Sequence, residues 1–179
     1  MNIRFITTNV NKMKEAKEVL KDFDMIQVDE EYPEIQSASS EGVVLYALEH
    51  LREEEPFIIE DTSLYIQSLN GFPGPFASYA QKTIGNRGIL RLMEGMNDRR
   101  AFFETCIGLR FNGTIIFKGR CNGHIALRPE GENGFGFDPI FVPEDSGKTF
   151  AEMSIEEKNS VSHRAKAFMA LKEHMETLK

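Results

Sequence analysis

Glu60, Asp61 and Thr62, in the stretch IIEDTSLYI, place two adjacent carboxylates and a hydroxyl between apolar runs. A buried carboxylate without a partner is costly, so the pair requires solvent, hydrogen-bond donors or a cation close by. Oxygen ligands beside a phosphate-bearing ligand suit Mg²⁺, which commonly takes one or two carboxylates and leaves its other positions to water and phosphate. Glu34, from the preceding loop, is a candidate second ligand. Exposed caps and turns are the commoner fate of such residues, and the local stretch fits that reading as well.

Thr7-Thr8-Asn9-Val10-Asn11-Lys12 lies at a turn between a strand and a helix. Backbone N–H groups and the positive helix end point outward there, and hydroxyl, amide and lysine donors add to them, which suits a phosphate. An ordinary capped helix start has the same residues. Ser146-Gly147-Lys148-Thr149 imitates the end of a phosphate-binding P-loop, but the glycine required five positions before Gly147 is Val142 and Pro143 follows it. The backbone nest is therefore not encoded.

Two later clusters are also rich in chemistry. In Gly134-Phe135-Gly136-Phe137-Asp138-Pro139 an aromatic between glycines could offer a ring face to a base while a carboxylate reads its edge, although buried aromatics are usually core. Lys158-Asn159-Ser160-Val161-Ser162-His163-Arg164 gathers cations and hydroxyls around a helix start, where the macrodipole opposes positive charge. An anionic or polar ligand would relieve that conflict; a solvated charged face is the plainer alternative.

The elements that must position these groups follow from periodicity. Ile3 to Thr7 reads as a strand, and Lys12 to Phe23 as a helix with Met13, Ala16, Val19, Leu20 and Phe23 on one face. Met25 to Val28 is a second apolar run, and Glu41 to Glu53 a helix introduced by Ser39 and Ser40. Phe57 to Ile59 is a third, buried strand, with Glu60-Asp61-Thr62 at its C-terminal end, the usual place for ligands in an open α/β sheet. Ala101 to Phe111 alternates, Asn112-Gly113 supplies a two-residue turn, and Thr114 to Cys121 returns as the partner strand. That register sets Cys106 opposite Gly119 and Cys121 opposite Glu104, too far apart for a disulfide. Ile140 to Val142 is a short strand, Ser154 and Glu157 form a capping box, and a last helix carries Phe168, Leu171, Met175 and Leu178 on one face. Alternating helices and strands joined to a long antiparallel hairpin predict an α/β fold, a mixed sheet flanked by helices.

With 179 residues and 41% hydrophobic content, the chain can bury one sizeable core without disulfides. Its net charge of −7 argues against a nucleic-acid polymer as partner, while leaving room for a small anionic ligand in a local basic pocket. The start MNIRFITTN has no secretory apolar region, and no run approaches the roughly 20 apolar residues that span a bilayer, so a cytoplasmic setting without membrane contact is expected.

Taken in order, TTNVNK, PEIQ, EDTSL, NGFPGPF, GFGFDP and EKNSVSHR resemble the Ham1 family of inosine triphosphate pyrophosphatases, nearly end to end. The resemblance implies Mg²⁺-dependent hydrolysis of ITP, dITP and XTP to the monophosphate and pyrophosphate, which clears deaminated purines from the nucleotide pool. It implies one pyrophosphatase domain over 1–179, elongated, with a central cleft between two lobes, assembled as a homodimer. Carried over by motif, Thr7, Thr8, Asn9, Val10, Asn11 and Lys12 would hold phosphates, and Glu34 and Asp61 would bind Mg²⁺. Thr62 would lie beside the nucleotide, and Phe135, Gly136, Phe137, Asp138, Lys158, His163 and Arg164 would surround the base and the adjoining phosphate. Asp61, directly or through Glu60, would position and deprotonate water. Lys158 or a protonated His163 would donate to the 6-oxo group of the base, where adenine carries an amine. Two positions depart from some relatives, which have lysines where this chain has Tyr46 and Ser78. A Maf-like pyrophosphatase acting on modified pyrimidine or 7-methylguanosine nucleotides, or a non-catalytic nucleotide sensor, are the competing readings.

Overall fold

The computed structural model describes residues 2–32 and 35–178. β1 (Asn2–Ile6) leads into α1 (Val10–Val19), followed by β2 (Asp24–Val28), α2 (Ser40–His50) and β3 (Phe57–Ile66). β4 (Pro73–Gly74), α3 (Ala77–Thr83) and α4 (Gly85–Leu92) precede the hairpin of β5 (Arg100–Arg110) and β6 (Thr114–Ile125). β7 (Phe141–Pro143), α5 (Ile155–Val161) and α6 (His163–Glu176) follow. Among the described residues seven strands form one sheet in the order β2-β1-β3-β5-β6-β7, with β4 added to β3. β1 is parallel to β2 and β3, and the other pairings are antiparallel, so the sheet is mixed, as the alternation pattern and the hairpin predict.

β3 is longer than its apolar run suggested. It continues through Glu60, Asp61 and Thr62 to Ile66, because all ten residues pair with β5, from Phe57 opposite Arg110 to Ile66 opposite Ala101. The carboxylates therefore sit in mid-strand rather than at a strand end. What does end there is the other edge: β1 accompanies β3 only at Phe57 and Ile58, and β4 joins it only at Leu64 and Tyr65. Between these two partners no strand among the described residues pairs with that edge of β3.

The hairpin also differs from its expected register by one residue. Arg110 faces Thr114, so Phe111 joins Asn112 and Gly113 in the connection, and the Phe111 amide donates to the Gly113 carbonyl at 3.0 Å. Gly113 has φ 141°, far from the φ near +90° that the second position of a type I′ turn requires, which accounts for the longer connection. Cys106 then faces Lys118 and Cys121 faces Phe103. Both thiols are free and buried, and they belong to different apolar clusters.

Helix boundaries follow local capping. Asn9 caps α1 and Ser39 caps α2, which stops at His50 because Leu51 is extended. α1 stops at Val19, short of the expected Phe23, yet Phe23 reaches the same core from the following turn. The Ser154–Glu157 capping box starts α5, and Ser162 caps α6. Leu178 falls beyond α6 and is exposed rather than on its apolar face.

One sheet face carries two cores. Ile58, Ile107 and Leu109 pack with Met13 and Leu20 of α1 and with Phe168 and Leu171 of α6. Leu64, Ile66, Phe103 and Cys121 pack with Ala80, Ile89, Phe137, Phe141 and Phe150. Between them on β3 lie Glu60 and Thr62. The opposite face packs Ile59 and Cys106 against Val44 and Leu48 of α2.

Candidate active site

The open edge of β3 is where the chemistry-bearing segments meet. The Glu60 carbonyl, which has no strand partner on that edge among the described residues, accepts from Lys12 Nζ at 3.2 Å and from the Tyr32 hydroxyl at 3.0 Å. α1 and the loop after β2 are thereby drawn against β3, and a cleft of about 740 Å³ opens alongside. Thr7, Thr8, Asn9, Val10, Lys12, Asp61, Thr62, Phe135, Gly136, Phe137, Asp138, His163 and Arg164 all line it. Of the remaining sequence-derived candidates, Glu60 and Lys158 are buried behind the wall, Asn11 is not among the lining residues, and Glu34 lies outside the described residues.

The turn after β1 is more self-satisfied than the sequence implied. Asn9 Oδ1 accepts from the Asn11 and Lys12 amides at 3.0 and 3.3 Å, and Thr7 Oγ1 accepts from the Asn9 amide. Its capacity for an anion therefore rests on Lys12, on the hydroxyls and on the positive end of α1 rather than on those amides.

Successive residues of a strand face opposite sides, and this separates the two carboxylates. Asp61 shares the α2 face, is half-buried and lines the cleft. Glu60 points the other way and is fully buried, with its carboxylate taken up by Arg164 Nε and Nη2, each at 3.2 Å, by the Thr62 hydroxyl, and by Lys12 Nζ at 3.6 Å. Burial alone would raise its pKa, but Arg164 and Lys12 hold it down to about 2. The expectation that Asp61 acts through Glu60 on water does not match this geometry.

Arg164 spends four of its five N–H donors within the cluster. Its Nη1 bonds Glu15 Oε2 at 2.6 Å, and Nη2 also reaches Thr62 Oγ1 at 3.3 Å. Burial disfavours the charged guanidinium, yet Glu60 and Glu15 raise its pKa further above the usual arginine range. Lys158 Nζ is bound at 2.7 Å by both Glu15 and Asp138. Phe135 lies over this cluster, its ring centroid 5.1 Å from Lys158 Nζ and 5.2 Å from the Arg164 guanidinium carbon. Five of the six charges come from residues that the motifs singled out. Glu15 was missed because on the sequence it reads as one more polar position of an amphipathic helix; its burial at 5% exposure has no local signal.

His163 is neutral rather than protonated. Burial first, and then Arg164, Lys158 and Lys12, push its pKa well below the ordinary histidine value. Its ring stacks on Phe103 at 4.5 Å, and Nδ1 is buried with no hydrogen-bond partner among the described residues. Tyr32, Glu30, Glu31, Ala77, Ser78, Gln81, Lys82 and Phe103 complete the lining and were not foreseen as a set. Of the two departures noted above, Ser78 faces the cleft, whereas Tyr46 stacks on His50 and does not line it. Thr149, from the P-loop mimic, caps a short 3-10 turn with Glu152 and lies outside the cleft.

Among the described residues no group of three or more histidine, cysteine or acidic side chains could hold a metal by itself. A carboxylate on the cleft wall, with room beside it, is instead the donor set of an ion completed by water and ligand oxygens. No described helix is long and apolar enough to cross a membrane.

Comparison with known proteins places the sequence and the fold. A dITP/XTP pyrophosphatase of Pyrococcus horikoshii is 50% identical over 175 residues, covering 95% of this chain and 94% of its own. That of Methanopyrus kandleri is 45% identical over 173 residues, covering 93% and 92%. The solved structure of the Staphylococcus aureus Ham1 protein superimposes with a TM-score of 0.84 over the whole of both chains at 31% identity. The Ham1 family profile matches residues 3–174, and the chain belongs to the Ham1 family.

Proposed function

We propose that this chain hydrolyses deaminated purine nucleoside triphosphates, dITP, ITP and XTP, to the nucleoside monophosphate and pyrophosphate. The observation that carries the reading is the convergence of Lys12, Asp61, Phe135 and His163, from four separate segments, on one cleft. Relatives at 45% and 50% identity bear the name dITP/XTP pyrophosphatase, which supports the substrate class.

In this reading Lys12 and the hydroxyls of Thr7 and Thr8 take phosphate oxygens, and Asp61 holds the attacking water and accepts its proton. The water oxygen bonds to phosphorus, the bridging Pα–O–Pβ bond breaks, and pyrophosphate leaves. Mg²⁺, held by Asp61 with Glu34, would neutralise charge on the phosphate oxygens when bound. Glu60 is a positioning residue that fixes Arg164 and Lys12. Phe135 offers its ring face to the base. A neutral His163 still has one ring N–H, which pairs with a 6-oxo group and would confront adenine's amine with a second donor. Residues 1–179 act as one unit in a homodimer, and a cytoplasmic setting fits the two reduced, buried thiols.

The test is pyrophosphate release from ITP, XTP, GTP, ATP and dUTP with Mg²⁺ and with chelator. Metal-dependent preference for ITP and XTP is the expected result. Tight binding without turnover, preference for dUTP, or release of orthophosphate would each overturn it.

A further inference from the structure

Two amide side chains from two different helices converge on one carbonyl. Gln81 Nε2 of α3 and Asn86 Nδ2 of α4 each donate to the Gly136 oxygen at 3.1 Å. A carbonyl only accepts, so both amides must present their NH₂ groups to it. The consequence is that Gln81 Oε1 and Asn86 Oδ1 are buried with no partner among the described residues. Unpaired buried oxygens are costly, so this arrangement persists against a penalty that the Gly136 contacts must offset.

The clamped carbonyl sits at a sensitive point. Gly136 has φ 63°, in the left-handed region, and separates Phe135 from Phe137 on the cleft wall. On the other side of Phe135, its own amide donates to Asp138 Oδ2 at 2.8 Å, and Asp138 is fixed in turn by Lys158. The Phe135 ring is therefore held from both ends: by the charge cluster through its amide, and by α3 and α4 through the next carbonyl. α3 also presents Ser78 and Lys82 to the cleft, so one helix contributes to the wall and grips the aromatic loop.

We propose that Gln81 and Asn86 are positioning residues that set the Phe135 ring for the base, making base affinity depend on the placement of the α3–α4 pair. The inference rests on the base-site reading of Phe135 above.

The test is a thermodynamic cycle on the full chain: Gln81→Ala with Asn86→Ala, Phe135→Ala, and all three together, assayed with ITP for kcat and KM and by thermal melting for folding. The paired amide variant should raise KM about tenfold, as loss of two hydrogen bonds would, with kcat within about twofold. In the Phe135→Ala background the same pair should change KM by less than about twofold, because there is no ring left to position. An unchanged KM in the folded amide variant, or the full loss persisting without Phe135, overturns the inference. KM unmoved by Phe135→Ala alone overturns the base-site reading instead.

Discussion

Glu60 and Asp61, adjacent in sequence, leave β3 on opposite faces of the sheet: Glu60 is locked behind the cleft wall by Arg164, and Asp61 stands in the cleft. The stretch that places two anions between apolar runs thus meets its electrostatic problem in two ways, with a buried guanidinium for Glu60 and a place on the cleft wall for Asp61. Substitution should separate the two solutions. Asp61→Asn is expected to abolish pyrophosphate release from ITP while leaving the melting temperature close to that of the parent. Glu60→Gln, which leaves a buried Arg164 short of charge, is expected to lose about 3 to 5 kcal/mol of folding stability by urea denaturation. Equal stability losses in the two variants would contradict the division.

Glu15 should behave like Glu60 rather than like a surface residue of α1. It joins Arg164 to Lys158, with contacts of 2.6 and 2.7 Å, across more than half the sequence. Burial would raise its pKa, but Arg164 and Lys158 lower it, so it is charged in the folded chain. Glu15→Gln is expected to destabilise by a few kcal/mol, whereas Glu18→Gln, on the same helix with a more exposed ion pair to Lys21, should leave stability nearly unchanged. Denaturant midpoints of the two variants decide the matter.

His163 makes a pH prediction whose sign is fixed by its burial. Its folded pKa lies well below the ordinary value, while in the unfolded chain the imidazole titrates near 6.5. Below about pH 6.5 the unfolded chain binds a proton that the folded chain does not, so stability falls there with a slope of up to about 1.4 kcal/mol per pH unit. Above that pH the contribution is constant. Between pH 6.5 and 5, His163→Gln should show a shallower loss of stability than the parent, and identical slopes would show that His163 is not held neutral.

The thiols should be silent in the native state. Burial pushes Cys106 up to about 12 and Cys121 up to about 11, so neither supplies thiolate at pH 8. Alkylation followed by mass measurement should find both unmodified in the folded chain and both modified in urea.

What the sequence made legible was local. Capping residues at Ser39 and Ser154, the alternation of β5 and the apolar spacing of α1 and α6 each act over a few residues, and those elements lie near where they were expected. The motifs around Lys12, Asp61, Phe135 and His163 could be named one by one for the same reason. The misses are long-range. β3 runs on through its carboxylates because β5 pairs with it, a fact located some forty residues away. Glu15 is buried only because α5, α6 and β3 bring cations and a second carboxylate to it, and Gln81 and Asn86 gain meaning only from Gly136. The protonated His163 expected as a donor is disfavoured first by burial and then by the cations around it, and both arise only in the fold.

The placement of His163 depends in turn on a missing side chain on β6. A Cβ added at Gly119 would fall 2.0 Å from the His163 carbonyl oxygen and 2.5 Å from the Ala167 amide nitrogen, so α6 can start where it does only because position 119 is bare. Both clashing atoms are backbone, which leaves the helix no side chain to move aside. Gly119→Ala should therefore lift the first turn of α6, carrying His163 away from Phe103 and straining the Arg164 bonds to Glu60. The expected result is a loss of about 2 kcal/mol or more in stability together with a raised KM for ITP. Gly147→Ala is the matched control: nothing lies within 4 Å of its added Cβ, and its loop is outside the cleft. If the two alanines melt alike and hydrolyse ITP alike, the close approach of α6 to β6 is not what sets this side of the site.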